Sequence, residues 1–251
     1  MERERSKLVG AVRRAVEDYG MIAPGDRVAV GVSGGKDSLV LLYALARLRV
    51  FYRAPFELVA VMLDLGFPDV DPSRVEEYSL SLGVPFYLER TQIGPIVFDT
   101  RKEPSPCSLC SRLRRGILVQ KAKDLGCNRL ALGHTREDAV ETLLMSMFYE
   151  GRIHCFEPVS WLSRSELHLI RPLAHVREDF IRSLVDDLGL PVLKSPCPAT
   201  GTTSRGRVED LLSDLSVGDP ELGDRIFGSL LASGIDGWKK PASHRGEAGS
   251  P

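Results

Sequence analysis

Residues 28–38 constrain the fold of this chain more than any other stretch. Arg27–Val32 is a short β-branched run, and it passes without a break into Ser33-Gly34-Gly35-Lys36-Asp37-Ser38. Apolar residues at helical spacing then fill Asp37–Leu48. Two adjacent glycines let a backbone turn tightly and aim its N–H groups at one point, forming a nest for an anion. A helix N-terminus behind them adds a partial positive charge, so the unit suits a phosphate. In an open α/β sheet the carboxyl end of a strand is also where ligands bind. The spacing is not that of Gly-x-x-x-x-Gly-Lys-Ser/Thr, the loop that wraps a β-phosphate. The plainer alternative is a strand-to-helix turn capped by Ser33 or Asp37.

The rest of the chain repeats that alternation. Strands are expected at Leu58–Leu63, Phe86–Leu88, Arg129–Leu132 and Leu167–Ile170, with helices near Glu4–Tyr19, Ser73–Leu82, Leu109–Leu125, Glu137–Tyr149 and Phe180–Leu188. The helix from Leu109 carries an apolar stripe of Leu109, Leu113, Ile117 and Leu125, and Gly126 ends it. In Glu137–Tyr149 the apolar positions are Val140, Leu143, Leu144, Met147 and Phe148, with Met145, Met147 and Phe148 read as core packing. Strands apolar on both faces and separated by helices imply a parallel sheet covered on both sides. The expected fold is α/β, a doubly wound, mostly parallel five-stranded sheet with a small C-terminal extension. Its parts are an N-terminal helix over 1–23, a nucleotide-binding core over 24–190, an extension over 191–234 and an unstructured tail over 235–251.

Among the 251 residues, 33 Lys and Arg stand against 34 Asp and Glu, a formal net charge of −1. That balance excludes a surface coated in positive charge and leaves room only for local basic patches. The longest apolar run, Leu39 to Ala46, is far short of the ~20 residues of a membrane helix. The opening Met1-Glu-Arg-Glu-Arg-Ser-Lys7 has no apolar h-region. A cytoplasmic chain without membrane contact is expected, and its five Cys read as thiols or metal ligands instead of disulfides.

Cys107-Ser-Leu-Cys110 has the spacing that lets two thiolates reach one metal at the start of a helix. Cys197 sits in the proline-flanked Ser195-Pro-Cys-Pro198, whereas Cys127 and Cys155 read as small buried hydrophobes. By spacing alone the C-x-x-C suits zinc, redox or iron–sulfur chemistry. A structural zinc would want four protein ligands, and three cysteines suggest a cluster with one iron left open.

Two resemblances follow from these residues. Ser-Gly-Gly-x-Asp-Ser after a first strand resembles the PP-loop of the adenine nucleotide α-hydrolase superfamily, with Lys36 at the variable position. Cys107-Ser-Leu-Cys-Ser-Arg-Leu-Arg-Arg-Gly-Ile-Leu118 is similar, nearly residue for residue, to the segment of the TtcA-type tRNA 2-thiocytidine biosynthesis family. Arg129-Leu-Ala-Leu-Gly-His-Thr-Arg-Glu-Asp138, Met145–Tyr149 and Ile170-Arg-Pro-Leu173 continue the likeness, which runs from about Pro24 to Cys197. The resemblance implies an ATP-dependent enzyme that adenylates a cytidine carbonyl oxygen at tRNA position 32, releases pyrophosphate and replaces the oxygen by sulfur. It implies a 4Fe-4S cluster on Cys107, Cys110 and Cys197, which also act in catalysis. ATP would lie on Ser33, Gly34, Gly35, Lys36, Asp37 and Ser38, with Gly133 and His134 against it, and Mg²⁺ would offset the phosphate charge. tRNA, a cysteine desulfurase or other sulfur donor, and a second copy in a homodimer are the implied partners. Where the family commonly has a further Cys and an Asn/Gln-rich continuation, this chain reads Cys197-Pro-Ala-Thr-Gly-Thr-Thr-Ser-Arg205, closer to the tRNA thiouridine synthetases of the TtuA type.

Further candidates follow the fourth strand and the C-x-x-C. Thr135-Arg-Glu-Asp138 fits a capping box, yet Asp138 is also placed to hold magnesium or act as a base. Asp64 ends the second strand at the same edge, either capping a turn or lining the adenosine pocket. Arg112, Arg114 and Arg115 either form a solvated face or meet phosphate: Arg114 is expected at the adenylate, Arg112 and Arg115 on RNA. Sulfur arrives either as sulfide on an open iron or as a persulfide on one of the three cysteines. The rival readings are a thiouridine synthetase, a lysidine-synthetase-like enzyme with no need for the cysteines, and a regulatory module that binds nucleotide and cluster without turnover.

Overall fold

In the computed structural model, residues 2–68, 70–101, 106–199 and 203–240 are described. Pro104 of the loop before the C-x-x-C, residues 200–202 after Cys197 and the tail over 241–251 lie outside them. The chain runs α1 (Glu2–Asp18), β1 (Arg27–Val32), α2 (Lys36–Arg49), β2 (Glu57–Asp64), α3 (Ser73–Ser81) and β3 (Phe86–Arg90). A short α4 (Ile93–Pro95) and a π-helical turn, Ile96–Arg101, lead to α5 (Pro106–Asp124), β4 (Arg129–Ala131) and α6 (Arg136–Glu150). Then come β5 (Val159–Leu162), β6 (Leu167–Ile170), α7 (Glu178–Leu184), α8 (Ser204–Ser216) and α9 (Leu222–Ser233).

These strands make one sheet of order β3-β2-β1-β4-β6-β5, parallel except for β5. Strand β1 is central, and the chain winds outward from it to β2 and β3 on one side and to β4 on the other. The crevice beyond its carboxyl end is therefore the switch point of the topology. The α/β class and the parallel core agree with the sequence reading, but among the described residues the sheet has six strands, not five. The extra strand, β5, is four residues long and half exposed, with Trp161 at 54% exposure. It pairs antiparallel with β6 because only 163–166 separate them, a hairpin connection too short for a parallel crossover.

Alternate strand residues feed two apolar layers. Val28, Val30, Val32, Leu58, Ala60 and Met62 pack with α1, α2 and α3, and Leu8, Val12 and Val16 place the N-terminal helix in that same core. Ala29, Val59, Val61, Leu130, Leu167 and Leu169 pack on the other face against α5. The buried residues of α5 are Val119 and Ala122, with Leu118 and Leu125 beside them. Of the expected stripe only Leu125 joins this layer. Leu109, Leu113 and Ile117 are half-buried, because the first half of α5 spans the crevice instead of the sheet. The Met147 and Phe148 expectation is also corrected: they are 45% and 53% exposed, since α6 outruns the body at its C-terminal end.

A third cluster joins α6 to α9 and to Trp238. Trp238 is 1% exposed and its Nε1 donates to the Phe156 carbonyl at 2.7 Å. The stretch from Ile235 was expected to be unstructured; instead Ile235–Gly237 forms a 3₁₀ turn and Trp238 is a core residue. One buried indole supplies enough apolar area to hold this piece of tail.

Candidate active site

The loop after β1 is built around Ser38. This side chain is 5% exposed, donates to the Gly35 carbonyl at 2.8 Å, accepts from the Ser33 N–H at 3.1 Å and lies 3.2 Å from Ser33 Oγ. Gly34 adopts φ +80°, a left-handed conformation that a side chain disfavours. Gly35 is the N-cap of α2 and no side chain caps it, so the expected alternative of a Ser33 or Asp37 cap does not hold. The N-termini of α6 and α8, by contrast, are capped by Thr135 and Thr203. A Cβ on Gly34 would meet Leu193 at 2.8 Å. Gly34→Ala should therefore cost about 1–2 kcal/mol, read as a lower urea midpoint at unchanged slope.

A cleft of about 360 Å³ opens at the carboxyl ends of β1, β2 and β4, within the range of small-molecule sites. Ser33, Asp37, Ser38, Gly133, His134 and Asp138 line it together with Ser111, Arg114 and Arg115 of α5. Gly133 is required there, because a Cβ would come within 3.0 to 3.1 Å of the Asp37 and Ser38 backbone. Gly34 and Gly35 shape the loop from behind. Lys36 is turned aside, its ammonium 2.6 Å from Glu178 and 3.0 Å from Asp37. Burial pulls the Lys36 pKa down, but the two carboxylates outweigh it and leave it raised. Asp64 takes the turn role, accepting from the Gly66 N–H at 2.9 Å. Arg112 is exposed, off the cleft.

Charge inside the cleft is uneven. Burial raises the Asp37 pKa against the pull of Lys36, and Asp138 adds to the rise. Its Oδ1 is buried with no partner. Asp138 completes the expected capping box, Oδ2 accepting from the Thr135 N–H at 2.8 Å. Its Oδ1 faces Arg205, 2.5 Å away. Burial, with Arg171, Arg205 and Arg115 nearby, lowers His134 to about 4, so the ring is neutral at pH 7. Its Nδ1 is buried without a partner, and its ring packs on Phe156 with centroids 5.0 Å apart.

The cysteines meet the cleft through α5. Cys107, Cys110 and Arg114 recur at spacings of three and four, one face of a helix, and Ser111, Arg114 and Arg115 continue into the cleft. Burial pushes the Cys110 thiol up; Arg114 opposes this, and Cys197 and Cys107 add to it. Three sulfurs thus share one neighbourhood, with Cys107 exposed and the other two half-buried. Among the described residues no three such side chains converge on a single ion. Three soft thiolates in one neighbourhood, with Arg114 beside them, are the donor chemistry an iron–sulfur cluster takes. The half-buried, cation-flanked setting fits that group. Cys127 and Cys155 are buried, and burial pushes the Cys155 thiol up to about 12.

Four residues of this neighbourhood escaped the sequence reading. Arg205 reaches both Asp138 and Glu141, the latter at 3.5 Å. Glu178 holds Lys36. Arg171 is 4% exposed, donates to Ser160 Oγ at 3.3 Å and to the Glu157 carbonyl, and lies over Phe156. Burial, then Arg115, lowers it to about 10. Only Arg171 had a signal, a charge inside the apolar Ile170-Arg-Pro-Leu173. Burial raises Glu141 to about 8, against the pull of Arg205. Between the usual carboxylate range and pH 8 the fold therefore holds a proton that the unfolded chain has lost, and stability falls as pH rises through that window. Glu141→Gln should leave the melting temperature unchanged near pH 4 and raise it at pH 9 by about 3 °C or more, the shift ~1 kcal/mol gives in a chain of this size.

The PP-loop domain family matches residues 6–205. The tRNA-cytidine(32) 2-sulfurtransferase of Pelobacter propionicus is 41% identical over 229 residues, 89% of this chain and 84% of that protein. The enzyme of the same name from Geobacter sulfurreducens is 41% identical over 227 residues, 89% of this chain and 88% of that one. Among solved structures, the U34-tRNA thiolase NcsA from Methanococcus maripaludis with its 4Fe-4S cluster superposes with a TM-score of 0.70 at 24% identity. The match covers 89% of this chain and 78% of that chain, and it establishes the fold. No described helix is long and apolar enough to cross a membrane.

Proposed function

This chain belongs to the PP-loop domain family and, within it, to the tRNA-cytidine(32) 2-sulfurtransferases, and from that premise we propose that it replaces the 2-oxygen of a tRNA cytidine by sulfur at the expense of ATP. The observation that carries the reading is that one face of α5 bears Cys107 and Cys110 and then hands over to Arg114 and Arg115 in the nucleotide cleft. Activation and sulfur delivery therefore need no long transfer.

A carbonyl oxygen leaves poorly; bound to an adenylyl group it departs with AMP. The Gly34–Gly35 loop and the uncapped start of α2 hold the phosphates that leave as pyrophosphate. Asp37 and Asp138 would hold Mg²⁺, a fit supported by the unpartnered Asp37 Oδ1 and by a hard cation's preference for carboxylates. Arg114 steadies charge on the α-phosphate as the cytidine oxygen attacks it. Neutral His134 offers one hydrogen bond at Nδ1 without adding charge. Cys107, Cys110 and Cys197 would hold a 4Fe-4S cluster, which supplies an iron site able to carry sulfide. Arg112 and Arg115 meet RNA phosphate, so tRNA affinity falls steeply with salt. The sulfur donor and a homodimer complete the proposed partners.

The cytidine relatives favour this reading over a thiouridine synthetase, in spite of the Cys197–Arg205 continuation. The test is AMP and pyrophosphate formation with tRNA that carries either cytidine or uridine at position 32. AMP that forms with cytidine and is lost with uridine bears the proposal out. Equal AMP with both, or AMP without tRNA, overturns it.

A further inference from the structure

The described residues on either side of Cys197 are each tied to the nucleotide cleft. At one end the Leu193 N–H donates to the Gly34 carbonyl at 2.9 Å, and the Leu193 side chain fills the space a Gly34 Cβ would occupy. At the other, Thr203 caps α8 by accepting from the Gly206 N–H at 3.1 Å. That cap sets Arg205 in the first turn of α8, where it bridges Asp138 at 2.5 Å and Glu141 at 3.5 Å. The first anchor is the loop assigned above to the phosphates. The second is a carboxylate that lines the same cleft. Cys197 lies four residues from one tie and eight from the other.

We propose that Arg205 is a positioning residue: its fork across Asp138 and Glu141 holds the Cys197 segment in register with the nucleotide cleft, so that filling the cleft restrains Cys197. A planar guanidinium with donors on two edges can face two carboxyl groups at once, because the Glu141 oxygen accepts with or without its proton, whereas a lysine ammonium acts only as a point charge. A nucleotide that orders the Gly34 loop and draws on Asp138 acts on both ties. Coupling of this kind is reciprocal: what the nucleotide does to the segment, the segment does to nucleotide affinity.

The inference rests on the nucleotide binding proposed above, and the test separates the two. The reduced, iron-free chain is alkylated with iodoacetamide, with and without a magnesium-loaded, non-hydrolysable ATP analogue. Modification of each cysteine is followed by peptide mass spectrometry, and analogue binding is read by equilibrium dialysis. Buried Cys127 is the internal control. The nucleotide should slow Cys197 alkylation by about fivefold or more, the lower end of ordinary site-to-site coupling. In Arg205→Met that protection should shrink below about twofold while the analogue still binds, and Arg205→Lys should fall between. An unchanged or faster rate in the parent, with the analogue bound, overturns the inference. So does full protection in either variant, and the lysine variant decides the matter if Arg205→Met does not fold. An analogue that fails to bind overturns the proposed function together with the inference.

Discussion

Asp138→Asn lowers tRNA-dependent AMP formation by about 10²–10³-fold, the range lost with one group that stabilises transition-state charge, and leaves the fold standing. The contrast follows from the two oxygens. Oδ2 serves the capping box through the Thr135 N–H and Oγ1, and an asparagine carbonyl can keep accepting there. Oδ1 faces the cleft and Arg205, and there the substitution removes the charge. Loss of a whole cap costs ~1 kcal/mol, or about 2–4 °C in a chain this long, so the melting temperature bounds the structural share. Activity within about threefold of the parent, well below that range, would reduce Asp138 to a helix cap.

Cys197→Ala removes iron from the anaerobically reconstituted chain, which in the parent should hold about four irons with broad iron–sulfur absorption. Analogue binding should survive, because Leu193 and Arg205, the two ties of the segment, remain. Cys127→Ala and Cys155→Ala should keep the iron, since burial in apolar layers sets those thiols apart. A colourless parent that holds zinc, or nothing, yet thiolates tRNA would remove the cluster from the account and leave a persulfide on these cysteines.

What could be read from the sequence divides along a physical line. Local patterns were legible: Arg27–Val32 and Leu167–Ile170 stand where the β-branched and apolar runs place them, and the Thr135–Asp138 box is formed. Those features depend on neighbours within a few residues. Strand β5 was not legible, because an edge strand of four residues with an exposed Trp161 carries too little pattern. Trp238 looked like tail because the residues around it are polar, and the Phe156 carbonyl, the α6–α9 cluster and the His175 ring make it core. The cleft residues divide in the same way. Ser33, Asp37 and Ser38 were marked by the glycine loop. Arg205 and Glu178 reach the site across 67 and 142 positions of sequence, and no spacing rule connects such pairs. Lys36 shows the reverse case: it lies inside the motif, yet its ammonium goes to Glu178.

The central claim, that the α5 face joins nucleotide activation to sulfur transfer, is tested most directly on the tRNA itself. Reconstituted chain, magnesium-loaded ATP, sulfide and an unmodified tRNA with cytidine at position 32 are incubated without oxygen, and the digested nucleosides are weighed by mass spectrometry. The account predicts one 2-thiocytidine per tRNA, matched by one AMP and one pyrophosphate, with both lost in Arg114→Ala. ATP cleaved to AMP with every cytidine left unthiolated, or sulfur found on a uridine, would contradict it.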